Sequence, residues 1–183
     1  MPSSPGIDEP LALAELERLV REIPDFPRPG IRFRDMTPLL ADPAALRSAV
    51  DLLAAAVERA GPVDLVVGAE ARGFILGPAL AMRLGAGFVP ARRAGKLPAA
   101  TERVAYELEY GEAELHVHAD AIRPGARVVI HDDLIATGGT ASAVAELVTR
   151  RGGEIVAFAF LVELADLGGR AGLPAPTHSL LRL

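Results

Sequence analysis

Residues 128–140, VVIHDDLIATGGT, constrain what this chain can fold into more tightly than any other stretch. The apolar run 128–130 reads as a strand buried on both faces, the form taken by strands of a parallel sheet. Residues 141–151 carry Val144, Leu147 and Val148 at helical spacing, with Gly152 as the stop. Ala136, Thr137, Gly138, Gly139 and Thr140 therefore lead into a helix N-terminus, where free amide N–H groups and the positive end of the helix dipole favour a phosphate. Glycine lets the backbone approach such an anion, and Thr137 and Thr140 add hydroxyl donors. This reading places Asp132 and Asp133 at the carboxyl end of the strand, facing the crevice where open α/β sheets bind ligands, as acceptors for sugar hydroxyls. Phosphate donors at one end and carboxylates at the other describe a site for a sugar of the ribose 5-phosphate kind. A Walker loop would end in Gly-Lys-Ser/Thr and a Rossmann loop would read G-x-G-x-x-G; this loop has neither, and no lysine. The plainer alternative is an Asp-rich turn with a glycine helix entry, and the complete order of strand, Asp-Asp, Thr-Gly-Gly-Thr and helix weighs against it.

At 183 residues the chain suits a single domain, 1–183, with room for a full core, and its 50% hydrophobic content is ordinary for a soluble fold. A net charge of −5 gives no general attraction to nucleic acid or an anionic membrane, so an anion site has to be built locally for a small molecule. Zero cysteines remove disulfides and thiolate metal sites and are compatible with a reducing cytosol. The longest apolar runs, such as 155–162, are too short to span a bilayer, and MPSSPGIDEP lacks the basic and apolar segments of a signal peptide. A cytoplasmic location is expected.

Along the chain, residues 1–10 are Pro/Ser-rich and read as loose, and 11–22 form an amphipathic helix with Leu13, Leu16, Leu19 and Val20 on one face. PDFPRPG prevents a helix and leaves an irregular segment. A second helix spans about 43–60. A strand at 63–67, the loop GAEARG and a helix at 74–84 repeat the strand-loop-helix unit of 128–151, again with the loop at the sheet's carboxyl end. Residues 88–91 make a short strand, and 92–103, rich in Arg, Lys, Ala and Pro, read as a long loop of the kind that serves as a lid. YELEY and ELHVHA alternate around Gly111 as a hairpin, 154–162 form a core strand, and 180–183 are a short apolar tail.

The 128–140 run resembles the 5-phosphoribosyl-1-pyrophosphate (PRPP) signature of the type I phosphoribosyltransferases. PDFPRPGIRFRDMTPLL, GAEARGFILGPALA, ARRAGKLP and YELEYGEAEL resemble the adenine phosphoribosyltransferase family, as do LVELADLGGR and the closing SLL. The resemblance covers most of 24–183. It implies an α/β fold with a mostly parallel twisted sheet flanked by helices on both faces, a small N-terminal hood mainly at 24–40 and a mobile lid at about 92–103. It implies that adenine and PRPP give AMP and pyrophosphate, that Mg2+ assists while held mainly by substrate and water without a direct protein ligand, and that the enzyme is a homodimer. The chain departs from the family in three places: His131 stands where a branched aliphatic residue is usual, Arg32 where Val or Ile is frequent, and the last residues lack an aromatic.

A pyrophosphate leaving group needs cations to neutralise the departing charge. The resemblance puts Arg72 and the loop amides of GAEARGF on the pyrophosphate and implies a cis peptide at Glu70–Ala71. Arg92, Arg93 and Lys96 form a cationic patch that would fold over it and exclude water. An ion-paired surface arginine and a solvated loop are the alternatives. For the base, related hypoxanthine-guanine enzymes place an acid just before the Thr-Gly pair, where this chain has Ala136. Glu109 in LEYG matches the glutamate that the adenine family sets near purine N7, where it would act as acid/base while N9 attacks C1 of the ribose; an exposed hairpin glutamate is the alternative, and Glu107 shares its face. Tyr110 would close the pocket. The resemblance also assigns the adenine edge to main-chain groups around Arg32, with Phe33 stacking and Arg34 close by. His116 and His118 form an H-x-H pair, read as solvated strand histidines in preference to a metal half-site. Two competing readings stand: a transferase for a 6-oxopurine, which Ala136 argues against, and a PRPP-sensing regulator, which the acidic charge and short length argue against.

Overall fold

The structure, a computed structural model, describes residues 10–108 and 111–183. Its backbone contacts separate two compact units, residues 1–52 and 53–183.

In the first unit, α1 (Leu13–Arg18) is shorter than the expected 11–22. Its start is fixed by the Glu15 carboxylate, which accepts from Ala12 N at 2.8 Å, while Leu11 N donates to Ser48 Oγ at 2.8 Å. Chain beyond it joins a two-stranded antiparallel sheet of β1 (Arg21–Ile23) and β2 (Phe33–Asp35). The expected irregular segment is the turn between them. There Phe26–Pro27 is cis, Asp25 has φ +58°, and the Asp25 carboxylate accepts from Gly30 N at 2.7 Å. A short helix, α2 (Thr37–Ala41), follows, and α3 (Pro43–Glu58) begins where Asp42 Oδ1 caps Ala44 N and Ala45 N at 2.9 Å, with Pro43 in the first turn. Leu16, Leu39, Ala45 and Ala49 are fully buried in this unit.

The second unit is built on a seven-stranded sheet in the order β5-β6-β4-β3-β7-β8-β9. Its strands are β3 (Leu65–Ala69), β4 (Gly87–Arg93), β5 (Thr101–Leu108), β6 (Gly111–His118), β7 (Arg127–Ile135), β8 (Glu154–Glu163) and β9 (Thr177–Arg182). The pairs β4–β3, β3–β7, β7–β8 and β8–β9 are parallel, and the β5–β6 hairpin joins β4 antiparallel. Crossover helices α4 (Gly73–Leu84) and α5 (Gly139–Arg150) connect β3 to β4 and β7 to β8. The two crossovers leave the sheet in opposite directions from the β3–β7 pair, so this pair is the switch point at which α/β sheets open a ligand crevice.

Alternation along the strands sorts the two faces. Val67, Val128, Ile130, Phe158 and Phe160 share a core with Val144, Leu147 and Val148 of α5. The opposite face receives α4 closely, because a side-chain carbon on Gly73 would lie 2.8 Å from His131 O and one on Gly68 would lie 2.7 Å from Gly73 O. The mostly parallel α/β sheet flanked by helices is as expected.

Several boundaries differ. The 63–67 strand runs from Leu65 to Ala69, and the 128–130 strand continues to Ile135, because the parallel ladder to β8 runs on through Asp132↔Phe160 and Ile135↔Glu163 despite the polar side chains. The expected 92–103 loop shortens to 94–100: Arg92 and Arg93 pair with His116 and Leu115, and Thr101 opens β5 opposite His118. The apolar tail is β9, parallel to β8.

Candidate active site

The loop between β7 and α5 is Ala136, Thr137 and Gly138, with α5 starting at Gly139. Gly138 has φ +87°, a left-handed conformation that glycine adopts without steric cost, and Thr140 lies in the first helical turn. Ala136, Thr137, Gly138, Gly139 and Thr140 line a cavity of about 180 Å³ together with Arg72, Tyr106 and Asp132. Arg72, Tyr106, Asp132 and Thr140 recur in the wall of a neighbouring cavity of about 650 Å³, which adds Arg93 and Glu114. The uncharged cradle at the helix start and the guanidinium of Arg72 thus belong to one connected region.

Asp132 and Asp133 do not act as a matched pair facing the crevice. Consecutive strand residues point to opposite faces, and only Asp132 lines the cavities. Asp133 is turned to the α4 face, 5% exposed, with its Oδ1 3.3 Å from Nε of the half-exposed Arg72. Burial raises both carboxyls above the usual carboxylate range; the charge of Asp133 adds to this for Asp132, and the Arg72 charge opposes it for both. A cation brought to Asp132 would relieve that cost.

The loop between β3 and α4 holds Glu70, Ala71 and Arg72, and the Glu70–Ala71 peptide is cis. Glu70 accepts from Arg93 N at 2.9 Å and from the Arg92 guanidinium at 3.3 Å. The Arg93 N–H bond is foremost in holding its carboxyl below the usual range, against the opposing effect of burial. Arg92 is therefore occupied as a tie between the loop and β4, and also reaches Lys96 O at 3.4 Å. Arg93 and Lys96 are exposed.

Glu109 and Tyr110 lie outside the described residues. In the first unit Phe33 meets Phe26 edge to face at 5.1 Å, Arg34 pairs with Glu22 at 2.5 Å, and Arg32 is exposed, 3.6 Å from the same carboxylate. His116 is held on the hairpin between Thr101 Oγ1 at 3.1 Å and Glu114 Oε2 at 3.2 Å. His131 is fully buried; its Nδ1 bonds Ala159 O at 2.9 Å, its Nε2 has no hydrogen-bond partner among the described residues, and burial pushes its pKa down to about 4.

Sequence reasoning passed over Tyr106, which the V-x-Y alternation of β5 turns to the same face as buried Val104. It also passed over the segment behind the cradle. There a 3₁₀ turn, Gly169–Gly172, is fastened by Arg170 to the buried Glu163: Nε donates to Oε1 at 2.7 Å and Nη2 donates to Oε2. Burial alone would raise the Glu163 carboxyl, but the Arg170 and Ser179 hydrogen bonds outweigh it and hold it below the usual range.

This geometry has known counterparts. The phosphoribosyl transferase domain family matches residues 36–173. The adenine phosphoribosyltransferase of Sorangium cellulosum is 60% identical over 176 residues, covering 93% of this chain and 88% of that protein. The crystal structure of adenine phosphoribosyltransferase from Rhodothermus marinus is 52% identical, with a TM-score of 0.87 over 93% of this chain and 98% of that one. The Saccharomyces cerevisiae enzyme, solved with an imino-altritol bisphosphate and adenine, is 41% identical, with a TM-score of 0.89 over 92% and 98% of the two chains. An amide cradle, an arginine loop at the same switch point and this depth of similarity lead to one assignment: the chain belongs to the phosphoribosyltransferase family, among the adenine phosphoribosyltransferases.

Proposed function

We propose that the 136–140 cradle, Arg72 and Glu109 carry out adenine phosphoribosyl transfer: N9 of adenine attacks C1 of the ribose of PRPP, the bond from C1 to the pyrophosphate oxygen breaks, and AMP and pyrophosphate leave. The observation that carries this reading is the adjacency of an uncharged amide cradle, suited to a 5-phosphate, and the Arg72 guanidinium, suited to pyrophosphate, with Asp132 in the wall of both cavities. Charge grows on the leaving oxygen as the bond breaks, and a fixed cation stabilises it most where water is excluded. Arg72 is aimed by Asp133. Arg93 and Lys96, exposed at the head of the 94–100 loop, close over the pyrophosphate, while Arg92 stays with Glu70.

The Asp132 carboxylate, in the wall of both cavities, fits Mg2+, an ion that takes most of its ligands from substrate phosphates and water. When bound it supplies further charge neutralisation on pyrophosphate. Asp132 would accept hydrogen bonds from its waters and from ribose hydroxyls, and Asp133 would act through Arg72. On the base side, Glu109 holds the N7 proton and Tyr110 closes the pocket, with the backbone around Arg32 reading the adenine edge, Phe33 stacking on the ring and Arg34 near it. Ala136 offers no acid at the position used by 6-oxopurine enzymes. The same reading takes the enzyme as a cytoplasmic homodimer serving purine salvage; no described helix is long and apolar enough to cross a membrane.

Incubation with PRPP, Mg2+ and adenine should yield AMP, with guanine and hypoxanthine unused in parallel. Glu109→Gln keeps shape and hydrogen bonding but cannot exchange the proton, so turnover should fall roughly 10²-fold, while Glu107→Gln is mild. Product from hypoxanthine or guanine in place of adenine would assign a 6-oxopurine enzyme, and PRPP binding without turnover of any base a sensor.

A further inference from the structure

The cradle is shaped from behind by backbone. A side-chain carbon on Gly169 would overlap Ala136 O and lie 2.8 Å from Gly138 N; one on Gly138 would overlap Gly169 O and lie 3.2 Å from Gly169 C. Gly169 is buried and opens the 3₁₀ turn, following Gly168, whose φ is +64°. Main chain thus lies directly against main chain, with no side chain between the turn and the loop.

The turn is itself tied to the strand that delivers the cradle. Arg170, its second residue, forks onto both oxygens of Glu163 and reaches Ser179 Oγ at 3.4 Å. Glu163 is 2% exposed, and Arg182 Nη2 lies 3.6 Å from its Oε1. Across the sheet Glu163 is in register with Ile135, the residue before Ala136, and Leu164 N donates to Ile135 O at 2.9 Å. A bidentate arginine–carboxylate pair is geometrically stiff, and here its carboxylate is buried. Strand end, ion pair, turn and cradle form a closed circuit of short contacts.

We propose that Gly169 and the Glu163–Arg170 pair are positioning residues for the 5-phosphate, setting the aim of the cradle amides without touching the ligand. This rests on reading residues 136–140 as the phosphate site. Amide donors stabilise an anion only when pre-aimed, and a displacement of about an ångström can cost as much as a hundredfold. The brace is therefore specific to phosphorylated ligands.

The test measures KM for PRPP, Kd for AMP and KM for adenine on the full chain carrying Gly169→Ala, Arg170→Lys or Thr140→Ala. Gly169→Ala should raise KM for PRPP and Kd for AMP about tenfold or more while KM for adenine stays within about twofold. Arg170→Lys keeps the charge but loses the fork, and should give a smaller rise of the same selectivity; it decides the matter should Gly169→Ala not fold. Adenine, PRPP and AMP weakened alike would show a general loss of structure and overturn the proposal. PRPP and AMP unchanged in both brace variants, with Thr140→Ala weakening them, would remove the brace and leave the cradle standing. All three variants at parent values would remove the cradle assignment as well.

Discussion

The two strand-to-helix loops that meet at the β3–β7 switch point are built on opposite principles. The one after β3 works through side chains: Glu70 ties down β4 through Arg93 N and the Arg92 guanidinium, and Arg72 is drawn back to Asp133. The one after β7 carries no charge, takes a left-handed turn at Gly138 and rests on another stretch of main chain. A charged group can be placed roughly and still attract, because Coulomb energy falls slowly with distance, whereas an amide donor weakens steeply once misaligned. The arginine loop needs a counter-ion to aim it. The cradle needs a fixed backbone.

Removing the guanidinium should break this contrast most severely. Arg72→Ala is expected to lower turnover by roughly 10²- to 10³-fold, with pyrophosphate binding lost and AMP affinity close to the parent, because the missing cation serves only the leaving group. Equal weakening of AMP and pyrophosphate would show that the loops do not divide the substrate. A smaller effect is expected in the cradle: Thr140→Ala should cost about 1–2 kcal/mol in PRPP and AMP binding, for one hydrogen bond to a charged group, read by calorimetry or KM. Smallest for turnover is His131→Leu, which lies on the α4 face of β7 and should leave kcat unchanged. Its effect is on acid stability. The folded His131 pKa of about 4 lies below its unfolded value near 6.5, so the unfolded chain binds the extra proton first and stability falls as pH drops between those values. At pH 5 this amounts to about 2 kcal/mol, which His131→Leu should restore in melts compared at pH 7 and pH 5. An acid limb identical in both proteins would place the sensitivity elsewhere.

What could be read from the residues follows from where local signals are strong. The apolar run of β7, the helical spacing in α5 and the glycines between them declare the fold, because each is a local preference that tertiary packing reinforces. Polar residues ended the reading of β7 at Ile130, yet a parallel ladder is made by backbone and continues beneath Asp132 and Asp133. Their opposite directions follow from that continuation, since side chains alternate along a strand, whereas a strand that ended at Ile130 would leave both free to face the crevice. In the first unit, β1 begins inside the expected 11–22 helix and β2 follows the Pro/Gly segment with no local signal of its own, since their pairing depends on a turn closed by Asp25. The brace at Gly169 was the least visible part, since nothing local marks a glycine as the seat for a loop some thirty residues earlier in the chain.

The facing glycines Gly138 and Gly169 also bear on how this site can change over generations. In an ordinary core a larger side chain at one position is accommodated by a smaller one opposite, so paired positions wander together through sequence space. Here neither partner has a side chain to shrink, and what each would meet is main chain that every amino acid carries: Gly169 O for a side chain at Gly138, Ala136 O and Gly138 N for one at Gly169. Compensation is closed off in both directions, and the two positions are held at glycine by each other.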